Sequence, residues 1–153
     1  MLPHTHFLVG IVFALLAWKS NFLSLAVALL IPLLAVAIDL DHFVIMLLKL
    51  KTINLRVWNR AVNRQISLWS FIHYWPAFFV ITSVSILLYF VSHQYSYIIA
   101  ASYVPHFLLD KLYKKLARGR ERNIKQIFGI NYYIYEFEIV FDLLLLVAIF
   151  LLI

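Results

Sequence analysis

Apolar positions gather into five runs along the chain: Leu2 to Trp18, Phe22 to Leu48, Ser67 to Ser92, Tyr95 to Leu112 and Tyr132 to Ile153. At about 1.5 Å per helical residue, most of these runs reach the roughly 30 Å of a bilayer's hydrocarbon. The pattern predicts an all-α fold, a polytopic membrane helix bundle of about five transmembrane helices. The first run is marginal, with 17 residues and two His near its start, and suits a tilted, short or partly re-entrant helix. Only Lys19, Ser20 and Asn21 separate it from the second, so those two helices should be antiparallel neighbours. With three Gly, four Pro and no Ser/Gly run, residues 1–153 read as a single domain.

Charge placement adds orientation. Hydrophobic residues make up 65% of the chain and charged residues 13%, which excludes an ordinary soluble domain. Of the 13 Lys and Arg, all but Lys19 fall between Lys49 and Arg64 or between Lys111 and Lys125. Basic loops stay cytoplasmic, which puts the N-terminus and these two loops inside and Ile153 outside, as expected for the cell (inner) membrane. No base precedes Lys19, so a cleavable signal peptide is not expected. Trp18, Tyr95 and Tyr97 suit the outer aromatic belt, and Trp69, Tyr132, Tyr133 and Tyr135 the inner one. The net charge of +6 is explained by topology and lipid, and no nucleic-acid partner is expected. Lys111 to Lys125 reads as a helix leaving the membrane along its surface. Orientation is its main role, and anionic lipid headgroups are its candidate ligands, at about 1 kcal/mol per base.

The acids need a separate explanation, because an Asp or Glu at a bilayer centre costs about 2.5 to 3.5 kcal/mol. Asp39, Asp41 and His42 end the second run, roughly 26 to 30 Å from its outer start. His4 and His6 begin the first run at that same level, His73 lies about 9 Å into the third, and His106 and Asp110 close the fourth. His93 falls on the far side. Asp39 and His42 are spaced i, i+3 and His106 and Asp110 i, i+4, so each pair projects from one helical face, as in metal sites of helix bundles. Asp41 lies about 200° around an ideal helix from Asp39, which predicts a helix break near Asp41. Pro76 and Pro105 predict kinks beside His73 and His106. His4 alone reads as ordinary interfacial polarity, whereas His6, Asp39, Asp41, His42, His73, His106 and Asp110 together read as a metal or catalytic site. Glu136, Glu138 and Asp142 are open between further ligands, partners of the His groups and counterions. Cys is absent, so any metal would be held by His nitrogen and carboxylate oxygen.

At these residues the sequence resembles the YdjM-like family of inner-membrane metal-dependent hydrolases. The matching pieces are Thr5-His6-Phe7-Leu8, Asp39-Leu40-Asp41-His42 and His106-Phe107-Leu108-Leu109-Asp110. The family's central motif, H-R-G-x-T-H-S, corresponds to Leu68-Trp69-Ser70-Phe71-Ile72-His73-Tyr74, which keeps the second His and lacks the first His, the Arg and the Gly. The resemblance covers about the first 110 residues. It implies a helical membrane enzyme with a His and Asp metal centre, likened to zinc-dependent phosphoesterases. The departures admit a mononuclear centre, a changed substrate or a noncatalytic copy, since Arg is a bidentate phosphate binder.

The leading expectation is therefore a membrane-bound metal-dependent hydrolase acting at the cytoplasmic face on a phosphoester or ester of a lipid or membrane-associated substrate. His6, Asp39, His106 and Asp110 are the expected ligands. Asp41 or His42 would be the general base, and His73 a ligand or general acid. Zn²⁺ is the default for such a donor set, with Mn²⁺ or Fe²⁺ compatible. A divalent-ion or proton transporter is the second reading, although transporter sites usually lie at the midplane. A noncatalytic scaffold with a structural metal is the third.

Overall fold

Helix α1 (Pro3–Lys19) stops where Asn21 takes a left-handed conformation, φ 57°. The Phe22 N–H then donates back to Ala17 O at 2.9 Å, closing the helix end. Ser24 starts the return, its hydroxyl accepting the Val27 N–H as the N-cap of α2 (Leu25–Ala28), which leads into α3 (Leu30–Ala37). The computed structural model describes residues 3–41, 44, 47–48, 51, 71–116, 123–127, 130–134 and 136–153. A 3₁₀ turn over Phe71–His73 precedes α4 (Trp75–Tyr89). Helix α5 (His93–Leu116) runs through Pro105. A short antiparallel hairpin follows, β1 (Asn123–Ile127) with β2 (Ile130–Ile134), in the register Asn123 opposite Ile134. Helix α6 (Glu136–Leu152) ends the chain. Among the described residues the architecture is all-α apart from that hairpin.

Several boundaries differ from the sequence expectation. Pro76 does not kink a helix but sits in the first turn of α4, where its missing N–H costs nothing. His73 consequently lies in the turn before that helix and not within it. The basic stretch from Lys111 is helical to Leu116, residues 117–122 lie outside the described residues, and Asn123 begins a strand. Tyr132 and Tyr133 belong to β2 and not to the last helix. Trp69, Tyr135, His42 and the basic residues Lys49, Arg56, Arg60 and Arg64 lie outside the described residues. Among the described residues no helix is long and apolar enough to cross a membrane. The reason is that apolarity alone does not set helix ends: a 3₁₀ turn shortens the third run, a turn at Ile38 and Asp39 interrupts the second, and β2 takes the start of the fifth.

Packing brings backbones unusually close. A Cβ built on Gly10 of α1 would lie 2.5 Å from Pro32 Cα of α3, so only glycine permits this approach. Among the described residues, nearly half of the buried apolar side chains are alanine: Ala14, Ala17, Ala28, Ala35, Ala77 and Ala101. Hydroxyls join the helices: Ser85 Oγ donates to Ser96 O at 2.9 Å and Ser96 Oγ to Ser85 O at 2.8 Å, clasping α4 to α5. Ser102 Oγ reaches Ile31 O at 3.2 Å, tying α5 to α3. Helices α1 and α6 run parallel, with His4 beside Asp142 at one end and Lys19 Nζ donating to Ile153 O at the other. The first end therefore gathers the polar starts of α1 and α6, the end of α3, the turn before α4 and the second half of α5.

Candidate metal centre

Three segments deliver the central group. Helix α5 presents His106 and Asp110 one turn apart, as their i, i+4 spacing requires. Helix α3 has its C-cap at Ile38, and the Asp39 N–H closes the turn onto Val36 O at 3.0 Å, which releases Asp39 from helical geometry. The break anticipated near Asp41 thus falls at Ile38 and Asp39. The 3₁₀ turn supplies His73. One ligand atom from each of Asp39, His73, His106 and Asp110 lies within 4.8 Å of all the others.

The separations suit a single small cation. His73 Nε2 lies 3.0 Å from His106 Nε2, 3.3 Å from Asp110 Oδ2 and 3.6 Å from Asp39 Oδ1. His106 Nε2 lies 3.4 Å from Asp39 Oδ1 and 3.9 Å from Asp110 Oδ2. Two donors bound at about 2.0 to 2.1 Å on a tetrahedral ion would stand roughly 3.3 Å apart. Five edges of the ring thus bracket that value without rearrangement of the backbone.

Hydrogen bonding sets the chemistry of His106. Its Nδ1 faces Ala35 O at 2.9 Å, and a carbonyl can only accept, so Nδ1 carries the proton. A neutral His106 then turns the bare Nε2 lone pair into the ring, the arrangement by which a backbone carbonyl fixes the tautomer of a ligating His. The ring is also largely buried: His73 and His106 are buried, Asp110 is 9% exposed and the Asp39 side chain 17%. Two carboxylates held in such a setting require positive charge nearby, from a protonated His or a cation.

The remaining sequence candidates are placed around this ring. His6 is buried, its imidazole stacked on that of His106 with centroids 3.8 Å apart, and its Nε2 meets the outer oxygen of Asp110, Oδ1, at 3.2 Å. It therefore stands behind Asp110, while His73 occupies the place among the four that the sequence reading had given to His6. Asp41 Oδ2 faces His73 Nδ1 at 3.6 Å, beyond hydrogen-bond reach. His42 lies outside the described residues. His4, half exposed, pairs with Asp142 at 2.8 Å, and the wholly buried Glu138 accepts from Thr5 Oγ1 at 3.5 Å. Glu138 and Asp142 of α6 thus hold the start of α1. His93 begins α5 at the opposite end, beside Tyr89.

Sequence reasoning missed the groups that support the ring. Ala35 contributes through its carbonyl, which no residue type announces. Tyr103 and Lys111 also grip the turn carrying His73, and their only sequence signal is an i, i+4, i+8 stripe with Phe107. No protein family, curated protein or solved structure matches the chain. The resemblance noted in the motifs therefore carries no more than the motifs themselves.

Proposed function

We propose that the chain is a membrane-seated metal-dependent hydrolase of the YdjM-like kind, with one divalent ion, by default Zn²⁺, held by Asp39, His73, His106 and Asp110. The observation that carries this is the ring itself: four donors within 4.8 Å of one another, with the His106 lone pair fixed inward by Ala35 O. An ion there would act as a Lewis acid and bring a bound water toward a pKa of about 7. His106 and Asp110 set the geometry from one rigid helix. Asp39 and Asp41, whose side chains are 17% and 18% exposed, form the accessible edge. Asp41 is the carboxylate on that edge placed to take a proton from a nucleophile, and His6 orients Asp110 from behind.

The membrane setting rests on an inverted distribution of size. Large apolar side chains such as Leu33, Phe79, Leu87, Leu144, Phe150 and Leu151 are more than half exposed, while Ala, Ser and Gly line the helix contacts. Water would favour the reverse, whereas helices in lipid associate through small residues and hydroxyls. Helices of 15 and 17 residues span only about 22 to 25 Å. That is short of the hydrocarbon thickness, a mismatch that local thinning of the bilayer accommodates. The substrate class that fits is a phosphoester or ester presented at the cytoplasmic membrane face.

A structural metal is the second reading, and one observation favours it. Four protein donors complete a tetrahedral set, whereas catalytic zinc usually keeps a position open. Zinc analysis of the purified protein combined with turnover of a phosphodiester or carboxylic ester reporter separates the two. Turnover that disappears on chelation and in Asp41→Asn supports the enzyme. Stoichiometric metal without turnover favours the scaffold, and absence of bound metal overturns both.

A further inference from the structure

His73, unlike His106 and Asp110, is not carried by a regular helix. Its turn is only three residues long, and the next residue, Tyr74, is already extended at φ −101° and ψ 153°. The His73 imidazole must meet three partners, and two side chains of α5 hold the backbone that carries it. Tyr103 Oη donates to Ile72 O at 2.6 Å, and Lys111 Nζ donates to His73 O at 3.0 Å.

The two donors sit on one stripe of α5. Residues 103, 107 and 111 recur every four positions and so share a face, about 6 Å apart along the axis. Phe107, between them, stacks on Phe78 at 4.6 Å and meets Trp75 edge-on at 5.1 Å, fixing the start of α4 against the same stripe. The Lys111 ammonium lies 4.8 Å from the Phe107 ring centre and 5.7 Å from that of Trp75. Those ring faces hold a cation in place. The same helix carries His106 and Asp110.

We propose that Tyr103 and Lys111 are positioning residues that set His73 into the metal ring by holding the carbonyls of Ile72 and His73. Helix α5 then determines three of the four donors, two directly and one through this clamp. The inference rests on the metal reading given above.

The test is metal binding by the full-length protein carrying Tyr103→Phe, Lys111→Met or Lys111→Arg. Zn²⁺ affinity is measured by chelator competition, and Co²⁺ is bound to report ligand geometry through its visible absorption. Roughly 10- to 100-fold weaker Zn²⁺ binding is expected for Tyr103→Phe and Lys111→Met, the range seen when groups supporting a ligand are lost. The Co²⁺ band should shift as well, and Lys111→Arg should recover most of the affinity. Ser85→Ala, at the far end of α4, should leave the Co²⁺ band unchanged. Tyr103→Phe removes a single hydroxyl and carries the test even if Lys111→Met fails to fold. Wild-type affinity and spectrum in Tyr103→Phe would overturn the clamp while leaving the metal site standing. A wild-type protein that takes up neither Zn²⁺ nor Co²⁺ would overturn both.

Discussion

Nε2 of His73 and Nε2 of His106 face each other at 3.0 Å, while Nδ1 of His106 donates to Ala35 O. Two such nitrogens are compatible when one donates a proton across the gap to the other, or when both donate lone pairs to a shared cation. Two carboxylates beside them, Asp39 and Asp110, favour the cation.

His106→Ala and Asp110→Ala should therefore abolish stoichiometric metal binding. A metal held at about 100 times its Kd adds roughly 2.7 kcal/mol to stability. Thermal unfolding with and without chelator should show that increment in the wild-type protein and none in either variant.

His6 touches the outer oxygen of Asp110 and stacks on His106, and it stands outside the group of four. His6→Ala should keep the metal stoichiometry and weaken affinity by about 10- to 100-fold. Loss of the metal altogether would make His6 a direct ligand. Metal analysis after dialysis against graded chelator distinguishes the outcomes.

At Gly10 two effects oppose. Alanine gains roughly 0.5 to 1 kcal/mol over glycine inside a helix, but its Cβ would meet the Pro32 backbone at 2.5 Å. Backbone cannot move aside as a flexible side chain can, and overpacking costs about 1 to 3 kcal/mol. Gly10→Ala should thus destabilise the protein, read as a lower unfolding midpoint, and should weaken metal binding by moving α1 and α3 apart.

Each hydroxyl of the Ser85 and Ser96 pair donates to the other residue's main-chain carbonyl, so Ser85→Ala and Ser96→Ala each remove one of the two bonds. Each variant should lower stability by about 0.6 kcal/mol, the average for hydrogen bonds between helices in lipid, and the two losses should nearly add. Wild-type stability in both variants would remove the clasp from the account of α4 and α5 packing.

The absence of Cys makes the proposed membrane orientation directly measurable. Single cysteines at the exposed positions Ser20 and Lys114 should react with an impermeant thiol reagent from opposite sides of sealed vesicles. Labelling of both from one side would remove the proposed membrane topology.

Local chemistry in the sequence determined a good part of this protein. The i, i+4 spacing of His106 and Asp110 puts both on one helical face whatever surrounds the helix, and Lys19-Ser20-Asn21 is too short a link for anything but a reversal. The conflict between Asp39 and Asp41 on an ideal helix likewise announced a break. Tertiary structure decided what periodicity cannot encode. Apolarity marked the region around His73 as one long run, but the start of α4 at Trp75 left His73 in a turn that faces His106. His6 and His73 carry the same ring chemistry at comparable depth, and only the approach allowed by Gly10 against Pro32 and the grip of Tyr103 and Lys111 placed one behind Asp110 and the other within the ring. The carbonyl of Ala35, which fixes the lone pair of His106, belongs to a residue with no polar side chain. Its part arises only because α3 and α5 meet there, a property of packing between segments about 70 residues apart in sequence.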